Sequence, residues 1–354
     1  MSSPLVSVCM PTCNRGAFLR QSLPTILSQR YERIEIFISD NASTDETEAI
    51  CREASASDPR IRYLRHPHNI GIHRNHNFCI EESSGEFLGF CHDDDLYLPT
   101  FVSDNARFLM ANPSVGVVCS DWGLIDEVGA QVGNRAFGGP PITIGFDYIE
   151  QTIAAGRSSI CLPGALFRRE ALGGARLPES GPLGFADFAL CFEVAEHWAI
   201  GHINQQLWSY RQHSQSLSRR TIESLITDLG VNLDLYFRGH LARWPAHAAL
   251  VARWRALSVR YAFYAIVYEL CLHASPQSGD CSPDQFRTVF EIANYQLTPT
   301  EVARARAIAR QLAQTPMQRI ILFVVERLLA AGFTSPLAWA SRHTELARVL
   351  VRAK

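Results

Sequence analysis

Gly85-Glu86-Phe87-Leu88-Gly89-Phe90-Cys91-His92-Asp93-Asp94-Asp95 is the stretch on which the reading of this chain turns. Its apolar run, Phe87 to Cys91, reads as a short buried strand that ends on a histidine and three carboxylates. Adjacent carboxylates repel, so a strand that delivers three of them to its exposed end carries a cost that folding does not require. A divalent cation holding a phosphate-bearing substrate accounts for that cost. A solvated acidic turn capping a helix is the plainer alternative, and the surrounding chain decides between the two.

Upstream of the triplet, short apolar runs alternate with helical patterns, which predicts βαβ units and a mostly parallel sheet. Leu5 to Met10 reads as the first strand, ended by Pro11. Leu19, Leu23, Ile26 and Leu27 then share one helical face, with Pro24 expected to kink it. Ile34 to Ser39 reads as the second strand, delivering Asp40, and Ser43 with Glu46 has the pattern of a capping box opening a helix from Thr44 to Ala54. A third strand at Ile61 to Arg65, a helix around His73 to Ser83 and the strand Phe87 to Cys91 complete the series. Ligands of open parallel sheets bind at the carboxyl ends of strands, so Pro11, Asp40 and Asp93 to Asp95 are expected to line one crevice.

Downstream, the pattern predicts a helix over Thr100 to Ala111, a strand over Val115 to Ser120 and a Gly- and Pro-rich loop over 133–145. A strand at Cys161 to Phe167 and a helix at Phe188 to His197 follow. From about Ile222 the pattern is helical, broken near 276–283 and at Gly332. The division falls near residue 219, giving domains 1–218 and 219–354.

The chain has 354 residues, 47% hydrophobic and 19% charged, enough for a large core and two domains or one α/β domain with an extension. A net charge of −2 gives no general attraction to nucleic acid. The ten cysteines include no Cys-x-x-Cys and read as small buried hydrophobes in a reducing compartment, not as a zinc or disulfide framework. No basic leader followed by an apolar stretch is visible, and no apolar segment reaches the ~20 residues a bilayer span needs, so a cytoplasmic location is expected. Residues 301–354 hold nine arginine or lysine against three glutamate. With the amphipathic cluster Ile320, Ile321, Phe323, Val324, Leu328 and Leu329, they fit peripheral contact with anionic lipid, a cover for the first domain, or a homodimer contact.

Seven segments in order resemble the family 2 glycosyltransferases of the GT-A fold: Val8 to Arg15, Ser39 to Thr47, Asn69-Ile70-Gly71 with Arg74-Asn75, Gly85 through the triplet, Pro163 to Arg168, Ala186-Asp187-Phe188, and Tyr210-Arg211-Gln212-His213. The resemblance covers Val6 to about Ser218. It implies a mostly parallel α/β catalytic domain with an α-helical extension, and an enzyme that takes a nucleotide-diphosphate sugar donor and a glycan or lipid-linked acceptor. Members similar to this chain build bacterial surface polysaccharides. By resemblance Asp40 is the nucleotide selector. Pro11, Thr12, Asn14, Arg15 and Asn69 border the nucleotide, and Arg74 pairs with Asp40 or with phosphate. Asp95, with Asp93 and a late ligand His213, holds Mn2+ or Mg2+, while Asp93 and Asp94 also reach the ribose or metal-bound water. Imidazole favours manganese. Asp187 resembles the catalytic base, with a helix cap as the alternative.

Two departures stand out. Many relatives carry aspartate where this chain has His92, and often Glu-Asp where it has Ala186-Asp187. These leave open a catalytically silent sugar-nucleotide-binding or scaffold protein of the same fold. The Gln-x-x-Arg-Trp signature of processive synthases is missing, with His240 at the glutamine position of the nearest sequence, and no glycine-rich dinucleotide loop follows the first strand.

Overall fold

The computed structural model describes residues 3–155, 158–179, 185–213, 222–255 and 257. Their strands are β1 (Val6–Thr12), β2 (Ile34–Asp40), β3 (Ile61–Arg65), β4 (Phe87–Phe90), β5 (Leu96–Tyr97), β6 (Val115–Ile125), β7 (Gln131–Arg135), β8 (Ile142–Thr143), β9 (Ala165–Arg168) and β10 (Ala199–Arg211). The helices are α1 (Gly16–Leu27), α2 (Thr47–Ser57), α3 (Ile72–Glu82), α4 (Phe101–Ala111), α5 (Gly145–Ala155), α6 (Arg169–Leu172), α7 (Ala186–Ala195) and α8 (Ile222–Arg243). The chain divides into two compact units, one of residues 1–152 with 157–219, the other of 153–156 with 220–354. In the second, α8 brings Tyr236, Phe237 and His240 around the buried Trp254.

One sheet in the first unit runs β3-β2-β1-β4-β9-β6-β10-β5, with β7 on β6 and β8 on β10. The expected parallel arrangement holds from β3 to β4 and again between β6 and β10. Beyond β4 the sheet is mixed, because β9 enters antiparallel between β4 and β6 and the short β5, β7 and β8 also pair antiparallel. The apolar stripe of α1, Leu19, Leu23 and Ile26, is at most 3% exposed and shares a core with Val6, Val8, Met10, Ile36 and Ile38. Burying each such side chain contributes roughly 1.5–3 kcal/mol.

Four local expectations are corrected. Pro11 does not end the first strand. Val6 and Thr12 turn their backbone toward β2 whereas Cys9 turns toward β4. Pro11 has the parity of Cys9 and lies past the last β4 pairing, where its missing N–H costs no ladder bond. The capping box does not form: Ser43 Oγ accepts the Asn14 N–H and Glu46 pairs with Arg20, so α2 begins later, at Thr47, whose N–H goes to Asp45. The loop 133–145 contains the end of β7 and all of β8, and the segment from Cys161 opens with a 3-10 turn, Leu162–Gly164, before β9. Finally, the sequence reading omits β10. Its register with β6 shifts at Ile203 and Gln206, and these bulges break the two-residue alternation by which a strand is recognised. The arginine-rich stretch 301–354 and the breaks at 276–283 and Gly332 lie outside the described residues.

Candidate donor and metal site

The carboxyl ends of β1, β2 and β4 meet as expected, and hydrogen bonds order the loops that leave them. Asn14, in a left-handed conformation (φ 55°), accepts the Thr44 N–H on Oδ1 at 2.7 Å while its own N–H reaches Ser43. Asn41 clasps the third loop: its Nδ2 donates to Asn69 Oδ1 at 3.0 Å and its Oδ1 accepts the Ile70 N–H at 2.7 Å. Gly71 (φ 92°) then turns the chain into α3, a backbone setting that a Cβ would strain.

Asp40 is placed differently from an open nucleotide selector. It is 0% exposed; its Oδ1 accepts the Ser43 N–H and its Oδ2 the Tyr63 hydroxyl, both at 2.8 Å. Arg65, not Arg74, is the nearby cation, at 3.8 Å from Oδ2. Arg74 lies exposed on α3 and makes no ion pair among the described residues. A buried carboxylate needs such donors; the Ser43 N–H and the Tyr63 hydroxyl supply them, and Arg65 on the neighbouring β3 adds a positive charge. Burial, followed by the bond to Asp40, pushes the Tyr63 hydroxyl well up from its ordinary pKa.

The acidic triplet is held from several sides. Ser22 on α1 donates to the Asp93 carbonyl at 2.7 Å, and the Tyr97 hydroxyl accepts the His92 N–H at 2.9 Å. Arg211, 1% exposed at the end of β10, gives its N–H to Asp95 Oδ1 at 2.8 Å and its Nε–H to the Asp94 carbonyl at 2.6 Å. Its other nitrogens reach the Asp126 and Glu127 carbonyls and Gln21 Oε1. His213, 2% exposed, bonds Asp94 Oδ2 through Nε2 at 2.9 Å and rests on the Phe18 ring. Arg211 carries no role in the sequence pattern Tyr-Arg-x-His, because its work depends on β10, which brings it to the triplet.

The three carboxyls divide electrostatically. Burial, then the charge of Asp94, pushes Asp93 up to about 8 and Asp95 well above the carboxylate range. Burial opposes ionisation of Asp94 too, but the bond to His213 and the charges of His92, His213 and Arg15 outweigh it and hold this carboxyl low. A site with one ionised carboxylate and two raised ones suits a cation. His92, Asp94 and Asp95 bring ligand atoms within 4.8 Å of one another. Asp95 Oδ2 is buried with no hydrogen-bond partner, as a vacant ligand oxygen would be. These residues therefore fit a divalent ion. The set differs from Asp93, Asp95 and His213: Asp93 is outside it, and His213 orients Asp94.

Asp187 lies in the first turn of α7. The expected alternative, a helix cap, is not its position, because Phe185 is the cap residue, in a left-handed conformation (φ 62°). Burial pushes the Asp187 carboxyl up to about 6, against the pull of its own N–H and that of Phe188. The half-buried Cys161 thiol is raised by burial and then by the charges of both Asp187 and Asp95, so one thiol feels both carboxylates. Trp208 on β10 packs directly against Gly164 and stacks on Tyr97, 6.2 Å between ring centres.

Comparison with known proteins agrees with the fold. The family described as Glycosyl transferase family 2 matches residues 7–173. A GalNAc(5)-diNAcBac-PP-undecaprenol beta-1,3-glucosyltransferase of Campylobacter jejuni is 36% identical over 93 residues, 26% of this chain and 30% of that protein. An uncharacterized glycosyltransferase of Haemophilus influenzae is 29% identical over 112 residues, 32% of this chain and 45% of that protein. The chain thus spans less than half the length of these curated relatives. Among solved structures, S. aureus TarS 1-349 in complex with UDP-GlcNAc superposes with a TM-score of 0.62 at 16% identity, over 93% of this chain and 92% of that one. The mannosyltransferase PcManGT from Pyrobaculum calidifontis, in complex with GDP-Man and Mn2+, gives 0.53 at 16% identity, over 92% and 88%. At that identity the likeness carries the fold, a central mixed sheet flanked by helices as in GT-A glycosyltransferases. No described helix is long and apolar enough to cross a membrane. Over residues 7–173 the chain therefore carries a family 2 glycosyltransferase domain.

Proposed function

We propose that the chain is an inverting, metal-dependent, non-processive glycosyltransferase, within a catalytic domain 1–218 followed by a helical extension 219–354. It moves one hexosyl or deoxyhexosyl unit from a nucleotide-diphosphate sugar to a hydroxyl of a glycan or lipid-linked acceptor, in bacterial surface polysaccharide synthesis. The observation that carries this reading is the orphaned, buried Oδ2 of Asp95 beside His92 and Asp94, at the end of the sheet where a nucleotide would lie. The donors named in complex with TarS and PcManGT, and the lipid-linked sugar chain in the name of the Campylobacter relative, support the substrate classes.

In this reading Thr12 at the end of β1, with Asn14 and Asn69 on the loops after β1 and before α3, borders the nucleotide. Arg15, whose charge is felt by Asp93 and Asp94, faces the diphosphate. Asp40 serves the nucleotide indirectly, by fixing the loop at Ser43. A bound Mn2+ or Mg2+ would neutralise charge on the departing diphosphate. Asp187 takes the proton of the acceptor hydroxyl as that oxygen bonds to the anomeric carbon. The bond from that carbon to the diphosphate oxygen breaks, its electron pair leaving with the nucleotide. Attack from the face opposite the leaving group inverts the configuration.

Thermal-shift screening of nucleoside diphosphates tests the reading. Stabilisation by UDP, dTDP or GDP is expected only with Mn2+ or Mg2+ present and is expected to vanish in Asp95→Ala. Equal stabilisation with and without metal would overturn it. Slow metal-dependent release of free sugar from one donor in a panel separates an enzyme from a silent binding protein.

A further inference from the structure

The least expected member of the metal cluster is His92, its one nitrogen donor beside two carboxylates. Its ring stands against a second histidine, His76 of α3, which is 8% exposed and packed on Phe90. The hydrogen bonds assign the protons of this pair. His76 Nδ1 lies 2.9 Å from the Ile72 carbonyl, and a carbonyl only accepts, so Nδ1 carries the proton. In neutral imidazole His76 Nε2 then presents a lone pair, and it faces His92 Nε2 at 3.5 Å. Two lone pairs at that distance would repel, so His92 Nε2 is the N–H, and the free lone pair of His92 falls on Nδ1. A histidine whose far nitrogen donates to a fixed acceptor is the usual arrangement of a metal-ligating imidazole.

We propose that His92 is an inner-sphere nitrogen ligand to the divalent ion held with Asp94 and Asp95, and that His76 is the positioning residue that sets its tautomer. The inference rests on the proposed metal-dependent reading and adds a consequence for ion choice. Two carboxylates alone offer hard oxygen, which suits magnesium. A nitrogen in the set favours Mn2+ and later first-row ions over Mg2+. The second support is independent of the acidic cluster's charge: Asp95, 0% exposed, has an Oδ2 with no hydrogen-bond partner, and the same residue shares with His92 and Asp94 a group of ligand atoms within 4.8 Å of one another.

The test is pulsed electron paramagnetic resonance on the full chain loaded with Mn2+ alone, with Mn2+ and Mg2+ affinities measured by titration. Nitrogen modulation from a directly bound imidazole is expected in the native protein and in His213→Gln, and is expected to disappear in His92→Gln. His92→Asp, which restores an oxygen donor and guards against a folding failure of the glutamine variant, is expected to keep Mn2+ binding while reducing the preference for Mn2+ over Mg2+ about tenfold. His76→Phe keeps a ring on Phe90 but removes the acceptor, and is expected to weaken Mn2+ about 10-fold or more while Mg2+ binding to His92→Asp is indifferent to it. Modulation absent from the native protein, or lost in His213→Gln and kept in His92→Gln, would overturn the assignment. Mn2+ binding undiminished in Asp95→Asn would instead overturn the metal site itself, so the two readings fail separately.

Discussion

The two halves of the sheet solve different problems with different materials. Around β1, β2 and β4 the site is made of polar groups on loops, each tied by a named bond: Asn14 to Thr44, Asn41 to Asn69 and Ile70, Asp40 to Ser43 and Tyr63, Arg211 to Asp95. Around β6, β9, β10 and α7 the wall is aromatic. Trp122 and Trp208 lie 5.4 Å apart, Trp208 stacks on Tyr97, and Phe185, Phe188 and Phe192 run along α7. In that wall Asp187 is the carboxylate raised toward neutrality without a neighbouring carboxylate, its shift coming from burial. A charged diphosphate needs fixed dipoles and cations. A sugar hydroxyl needs a shaped, dry surface and one base of moderate strength.

Replacing Asp187 by Asn separates the halves most strongly. Turnover is expected to fall by about 10²–10⁴-fold, the usual worth of a general base, with donor affinity nearly unchanged. A parallel loss of nucleotide binding would mean that the two halves are not distinct. In the converse experiment, Asp95→Ala is expected to reduce transfer by about 10²–10³-fold, the scale of a lost charge-stabilising group, and to abolish metal-dependent nucleotide binding with it. Isothermal titration with and without Mn2+ measures the second effect directly.

The pH profile sharpens the contrast further. A base must be ionised to work, and the Asp187 carboxyl titrates at about 6, so activity is expected to plateau above neutrality. Below that pKa it is expected to drop about tenfold per pH unit as the base protonates. The stability sign is opposite. A carboxyl raised in the folded state binds more protons there than in the unfolded chain, so its ionisation destabilises the fold as pH rises from the ordinary carboxylate range through about 6. Asp187→Asn is therefore expected to melt higher than the native protein at pH 8 and no higher at pH 4. A variant that melts lower at both would assign the residue to helix support. The smallest effect is expected from Tyr63→Phe on the donor side, about 1.5–3 kcal/mol of stability from one hydrogen bond to a buried carboxylate, read as a shift in chemical denaturation. Nucleotide affinity should change little, because Asp40 orders a loop; a large affinity loss would return Asp40 to direct contact with the base.

The donor half was the more legible in the sequence. A parallel strand buried on both faces is a near-continuous apolar run, so β1, β2 and β4 stand within two residues of their expected limits, and the half-exposed edge strand β3 also keeps its expected limits. The acidic triplet could be located because a charged run directly after such a strand has no role in packing. What could not be read was partnership. Ser43 and Glu46 match a capping pattern, but Asn14 and Arg20, distant in the chain, take them. Arg74 was a plausible partner for Asp40 by proximity in the motif, yet Arg65 and Tyr63 on the adjacent strand are nearer in space.

From the chain alone came the order of strands and helices up to the triplet, the carboxyl-edge crevice and the residue types that could hold a cation. Periodicity and charge are local properties, and they survive in a linear reading. Only the tertiary structure decided that Asp40 is buried, that His92 joins Asp94 and Asp95 while His213 holds Asp94 in place, and that Arg211 at the end of a bulged strand fastens the cluster. Those outcomes depend on which distant groups reach a buried carboxylate first, a competition settled by geometry in three dimensions and invisible along one.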